Sequence, residues 1–358
     1  MNWITNDDTI IFDCGFNDEL NINLISSYKK LIFSDHKLDE RLFEFYRDCD
    51  SNNINFETDR FNGKSHRDKA FVGEVYKLSS FNKNVSILST NTTLTHIIFG
   101  WIFNRSVSNL PQTLTFLKFG HNFSEDVSNL PHNLTHLIFG VSFNEDVSNL
   151  PHGLIYLAFG KFFDKDISKL PLNLKYLTLG FAFNKDVSKL PPTLTHLTLG
   201  FRFRGNVLEL PHTLTYLVLD CHYMDISALP SSLTHLSLGP YFDKECNIPL
   251  NIKYFELYSN NSYIINSLPN SIVELKLSYR FNIEMNNLPT SIKKITIHVD
   301  GDYDMDLNCL PDFIEELQLN SSYKKQISNI PKNLKKIICH KDYEYKNDFL
   351  MCTVQTYE

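Results

Sequence analysis

Prolines recur at positions 111, 131, 151, 171, 191, 211, 230, 249, 269, 289, 311 and 331, one every 19 to 22 residues. Self-similarity at so short a period marks a repeat architecture, in which each repeat is one turn and leans on its neighbours. One unit runs from Leu130-Pro131 to Asn149 and reads, in general form, L-P-x-x-L-x-x-L-x-[LF]-G-x-x-F-N-x-D-[VI]-S-x. Leu137 and Phe139 alternate with outward positions, the period of a short strand. Gly140 is expected to permit a turn that a side chain would resist. Phe143, Val147 and Leu150 each add one inward apolar group, and Pro131, lacking an N–H, closes the unit where no ladder hydrogen bond is required.

A unit of this length with one short strand cannot bury its apolar side alone, so the units must stack and pair their strands. The expected fold is therefore a repeat solenoid, mainly β, with a continuous parallel sheet on one face and irregular turns on the other. The 358 residues, 42% of them hydrophobic, supply the core, and length here counts turns rather than domains.

These residues resemble the FNIP repeat family, a short leucine-rich-repeat-like unit. Its F-N positions appear at Phe103-Asn104, Phe143-Asn144 and Phe183-Asn184, with Leu-Pro mostly in place of Ile-Pro. The resemblance covers residues 88 to 345, with strands in register from Ile97 to Ile337. It implies a leucine-rich-repeat-like solenoid of amoebae and their giant viruses that serves as a protein-interaction module, often fused to an F-box or another effector domain.

Residues before Pro111 lack the proline marker, yet they repeat. Ile10-Ile11-Phe12 followed by Phe16-Asn17-Asp18-Glu19-Leu20 gives strand, three-residue turn and F-N-x-[DE]-[VL]. Leu24 to Ser34 matches the unit with isoleucine for proline and serine for glycine. Ile54-Asn55-Phe56 with Phe61-Asn62, and Val75 with Phe81-Asn82, continue it. Anchors at 16, 38 (Leu38), 61, 81 and 103 are 22, 23, 20 and 22 apart. The expected organisation is divergent repeats and a cap over 1–87, repeats over 88–345 and a C-terminal cap or tail over 346–358, about 17 turns in all. Two other readings of 1–87 stay open: a separate small cap domain, or an F-box-like domain. Phe16 to Leu20 has a faint likeness to the start of an F-box, although Asn17 stands where that motif has proline. The charged stretch from Glu40 to Asp50 also suits a short helix.

Two outward columns flank the inward leucine of each strand. The first reads His96, Phe116, His136, Tyr156, Tyr176, His196, Tyr216, His235, Tyr254, then Glu274, Lys294, Glu316, Lys336. Nine successive rungs thus carry an aromatic or imidazole ring, which makes them the candidate face for a protein partner, because rings on a rigid sheet offer contact area at low entropic cost. Cross-strand stacking alone also accounts for such a ladder. The four alternating charges after it read as cross-strand pairs. If the histidines meet a partner, its binding should change between pH 7 and 5.5.

Other constellations are weaker. His196 and His235 are separated by Tyr216, too far apart for one zinc, and His132 with His152 lacks a third ligand. Asp126, Asp146, Asp166 and Asp186, each followed two residues on by serine, lack the glycine-rich nonapeptide of calcium solenoids and read as local turn caps. Gly63-Lys64-Ser65 imitates the end of a phosphate loop, but Thr58 stands where the pattern needs glycine. The seven cysteines form no C-x-x-C pair, and Cys221-His222 is a neighbour pair in a turn rather than a catalytic dyad. No catalytic constellation, metal or cofactor is expected. A net charge of −7 argues against nucleic acid. The first 20 residues have five acids and no base, unlike a signal peptide, and no apolar run is long enough to span a membrane. These features fit an intracellular protein binding a protein partner. A Skp1-type adaptor would be a partner only under the F-box reading, and a purely structural rod is a further alternative.

Overall fold

The computed structural model describes residues 3–35, 79–222 and 224–357. Leu38, Phe61-Asn62, Gly63-Lys64-Ser65, Ile54 to Phe56, Val75 and the stretch from Glu40 to Asp50 lie outside the described residues. The chain divides into two compact units, Met1–Leu154 and Ile155–Glu358.

The first unit contains β1 (Trp3–Thr5), β2 (Thr9–Phe12), a short helix α1 (Ile22–Ile25), β3 (Lys30–Phe33), β4 (His96–Ile98), β5 (Phe116–Lys118) and β6 (His136–Ile138). β1 folds back antiparallel on β2, Trp3 opposite Phe12. From β2 to β6 each strand then pairs in parallel with the next. The second unit contains β7 (Tyr156–Ala158), β8 (Tyr176–Leu179), β9 (His196–Leu199), β10 (Tyr216–Leu219), β11 (His235–Leu238), β12 (Tyr254–Leu257), a short helix α2 (Ser262–Asn266), β13 (Glu274–Leu277), β14 (Lys294–Ile297), β15 (Glu316–Gln318), β16 (Lys336–His340) and β17 (Thr353–Tyr357). All eleven strands pair in parallel, in chain order. Thr353–Tyr357, expected in a tail, forms the last rung.

The core follows the repeat. Leu137, Phe139, Phe143, Val147 and Leu150 are all buried. Within a turn the strand phenylalanine stacks on the F-N phenylalanine, Phe119 on Phe123 at 3.6 Å and Phe159 on Phe163 at 3.7 Å. Between turns the F-N rings lie about 6 Å apart, as in Phe103–Phe123 at 6.2 Å and Phe183–Phe203 at 6.2 Å. Such a file of parallel rings buries a large apolar area and fixes the rise per turn. The asparagine of F-N serves the backbone instead, its side-chain oxygen accepting the N–H of the equivalent residue one turn on. Asn82 accepts from Asn104 at 2.9 Å, Asn104 from Ser124 at 3.0 Å and Asn184 from Arg204 at 2.9 Å. Each turn would otherwise leave an unpaired amide against its neighbour.

Two expectations change. The anchors at 16, 38, 61, 81 and 103 are spaced like five successive turns, but β3 pairs directly with β4. Phe81 stacks on Phe16 at 5.9 Å and on Phe103 at 6.0 Å, and Asn17 accepts the N–H of Asn82 at 3.2 Å. The file of F-N rings therefore passes from Phe16 to Phe81 with no room for a ring between. The Asp35 carboxylate accepts the N–H groups of Ser79 at 3.1 Å and of Trp101 at 2.8 Å. Glycine is also needed for another reason than expected. Gly140 has no left-handed backbone; a Cβ there would instead collide with the carbonyl of Gly120 one turn back.

Candidate interaction surface

The strand-face column stacks as rings. In the first unit His96 lies 5.4 Å from Phe116, which lies 6.1 Å from His136. In the second, Tyr156–Tyr176, Tyr176–His196, His196–Tyr216, Tyr216–His235 and His235–Tyr254 are separated by 6.1, 4.4, 5.3, 5.6 and 4.1 Å. The tightest pair, His235 and Tyr254, is parallel within 7°. Tyr216 sits between His196 and His235, so its ring occupies the space that a shared metal would need.

The column is less open than an outward-facing column should be. Phe116 and Tyr156 are buried, at 3% and 7% exposure, while Tyr254 is exposed at 41%. His96, His136, Tyr176, His196, Tyr216 and His235 are half-buried. The neighbouring outward positions Thr198, Val218, Ser237 and Glu256 are buried too. Glu256 meets Lys276 at 2.6 Å, and the charged rungs beyond Tyr254 pair as expected, Lys294 with Glu274 at 3.1 Å.

Each histidine is held by the threonine before it, a signal the sequence carries in every Thr-His pair. The hydroxyls of Thr95, Thr135, Thr195 and Thr234 lie 2.8, 2.9, 2.9 and 2.9 Å from the Nδ1 atoms of His96, His136, His196 and His235. The same hydroxyls reach back to the carbonyl of the preceding rung, Thr135 to Thr115 at 3.0 Å and Thr195 to Lys175 at 3.1 Å. Burial lowers the pKa of His136. His196 is lowered to about 4, mainly by burial and then by the neighbouring His235 charge. The His196 ring is therefore neutral at both pH 7 and pH 5.5, and its titration falls below the expected window.

The polar groups of the turns serve the turns. Each aspartate of the Asp-Ser column accepts both the hydroxyl and the N–H of its serine: in Asp126–Ser128 these distances are 2.6 and 3.0 Å, in Asp186–Ser188 2.6 and 2.9 Å. Those bonds hold the carboxyls of Asp126, Asp166 and Asp186 below the usual range. A hollow of about 750 Å³ opens beside Asp225, Ser227, Lys244 and Cys246. Its Cys246 thiol is pushed up to about 11 by burial, and Cys221 to about 12, so neither is a thiolate at neutral pH. Among the described residues no cluster of His, Cys, Asp and Glu is placed to hold a metal ion, and no helix is long and apolar enough to cross a membrane.

The FNIP Repeat family matches this chain at residues 126–162, 258–300 and 305–342. CroV588, a circular leucine-rich-repeat (LRR) protein from a giant virus, shares its fold with 27% identity and a TM-score of 0.66 over 96% of this chain. The chain spans about half of that protein, 51% of its length. An internalin, InlF, from Listeria monocytogenes aligns at 17% identity and TM-score 0.39, over 75% of this chain and 82% of its own. YopM from Yersinia enterocolitica aligns at 18% identity and TM-score 0.40, over 70% and 66%. No curated protein matches the sequence.

Proposed function

We propose that this chain, which carries FNIP repeats on a leucine-rich-repeat-like solenoid, is a non-enzymatic scaffold that binds a protein partner through the ring column of its sheet face. LRR-like folds generally bind proteins. The observation that carries the reading is the unbroken stack of Tyr176, His196, Tyr216, His235 and Tyr254, which ends on an exposed ring. Rings locked against one another on a hydrogen-bonded sheet lose little entropy when a partner covers them. The polar turn groups support a scaffold rather than a catalyst: the aspartates of four successive turns are committed to serine, and asparagines such as Asn104 and Asn184 to an amide of the next turn.

The test is affinity purification of the tagged full chain beside a Tyr216→Ser/Tyr254→Ser variant. Partners that copurify with the parent and vanish with the variant, at an unchanged unfolding midpoint, support the column. An unchanged partner list removes it. Within residues 10–33, Phe16 and Asn17 stack and cap as Phe103 and Asn104 do, which supports the repeat reading over the F-box alternative.

A further inference from the structure

A second set of rings follows the strands in the second unit, at the first or second position after the rung glycine. Phe162, Phe181 and Tyr241 are exposed at 51%, 39% and 44%, although apolar rings of this size are usually withdrawn from water. They are joined into one ledge. Phe181 stacks on Phe201 at 4.8 Å within 10° of parallel, and Phe201 meets the edge of Tyr241 at 4.9 Å. The Lys161 ammonium lies 5.5 Å from the ring centres of both Phe162 and Phe181, and the Arg202 guanidinium 5.7 Å from Phe181.

Charge says what kind of group covers the ledge. The whole chain carries −7, but residues 161–241, which span the ledge, hold eight Lys or Arg against six Asp or Glu, a local balance of +2. Of these carboxylates, Asp164 pairs with Lys185 at 3.1 Å, Asp166 and Asp186 are bonded to Ser168 and Ser188, and Asp225 accepts the N–H of Ser227 at 2.9 Å. Lys161 and Arg202 are both exposed and have no carboxylate partner among the described residues. An exposed apolar surface framed by unneutralised cations is complementary to a chain bearing acids and apolar side chains together.

We infer that the ledge of Phe162, Phe181, Phe201 and Tyr241, with Lys161 and Arg202, is a docking site for an acidic, apolar peptide segment of a partner protein. Its apolar side chains would pack against the ring edges while its carboxylates meet the two cations. A single-stranded nucleic acid fits less well, because a base needs an open ring face, and Phe181 already has Phe201 and Lys161 against it. This site lies apart from the strand-face column in sequence position and stands or falls without it.

The experiment selects a random dodecapeptide phage library on the full chain and screens the recovered peptides against Phe162→Ser/Phe181→Ser and Lys161→Glu/Arg202→Glu variants. All four replaced side chains are exposed, so the unfolding midpoints should match the parent. The expected result is a set of peptides rich in Asp or Glu and in Leu, Phe or Trp. Their affinity should fall at least tenfold in each variant, and also between 50 and 500 mM NaCl. Recovery of no ledge-dependent peptide, or of basic ones, overturns the proposal. So does binding of oligo(dT) that is lost in the same variants, which would give the ledge to nucleic acid. Self-association of the chain that is lost in them would give it to a second copy and equally overturn the proposal.

Discussion

The carbonyl oxygen of Gly120 occupies the space that a Cβ on Gly140 would need. The obstacle is backbone in a hydrogen-bonded stack, so it cannot rotate away as a side chain would. Gly140→Ala should therefore cost roughly 3 kcal/mol or more, the range of overpacking against an unyielding neighbour. Gly153 is the control: its added Cβ would lie 3.4 Å from the Leu134 carbonyl, and Gly153→Ala should change stability by less than about 0.5 kcal/mol. Denaturant unfolding of the two variants separates them, and equal midpoints would show that the stack yields.

The asparagine ladder predicts a chemical selectivity. Asn104→Ala leaves the Ser124 N–H without its acceptor, at a cost of about 1 kcal/mol. Asn104→Asp keeps an acceptor and should be nearly neutral, since Asp164 already accepts from Asn184 at 2.8 Å. Hydrogen exchange at the Ser124 amide should accelerate about tenfold in the alanine variant alone.

The ladder also shows what a period can and cannot convey. Strand positions from His96 to Lys336 were legible because alternation and spacing both report on stacking. Phe61-Asn62 satisfied the spacing as well, yet Phe81 is the ring that follows Phe16. Spacing along the chain is only a proxy for adjacency, and between Phe16 and Phe81 the proxy fails. The candidate site was partly legible. The column and its stacking followed from the period of two, but not its depth: Phe116 and Tyr156 have the same sequence position as Tyr254 and are nearly closed to water. The ledge had no motif, because the residue after the rung glycine changes freely from Trp101 to His121 to Val141 to Lys161.

Toward the C-terminus the F-N file changes from phenylalanine to tyrosine at Tyr303, Tyr323 and Tyr343, spaced 6.2 and 6.1 Å. The Tyr343 hydroxyl donates to the Lys325 carbonyl at 2.8 Å, whereas the buried Tyr303 hydroxyl has no hydrogen-bond partner among the described residues. Tyr303→Phe should therefore stabilise the chain by about 1 kcal/mol, and Tyr343→Phe should destabilise it by a similar amount. Opposite shifts of the thermal midpoint are the expected readout; shifts of the same sign would contradict the assignment of the two hydroxyls.

His196 predicts how stability responds to acid. Its folded pKa, about 4, lies below the ordinary 6.5 because burial disfavours the imidazolium. Between those values the unfolded chain binds a proton that the folded chain does not, so stability rises with pH across the window. The contribution is fully present above about 6.5 and is lost as pH falls toward 4. The ring is only half-buried, so solvent screening cuts the full linkage to something on the order of 1 kcal/mol. A phenylalanine already fills the same column at Phe116 between His96 and His136, so His196→Phe preserves the stack while removing the titration. Denaturant midpoints of the parent should fall from pH 6.5 to pH 4.5 more steeply than those of His196→Phe. Parallel pH profiles would show that His196 takes up its proton in the folded state as readily as in the unfolded one.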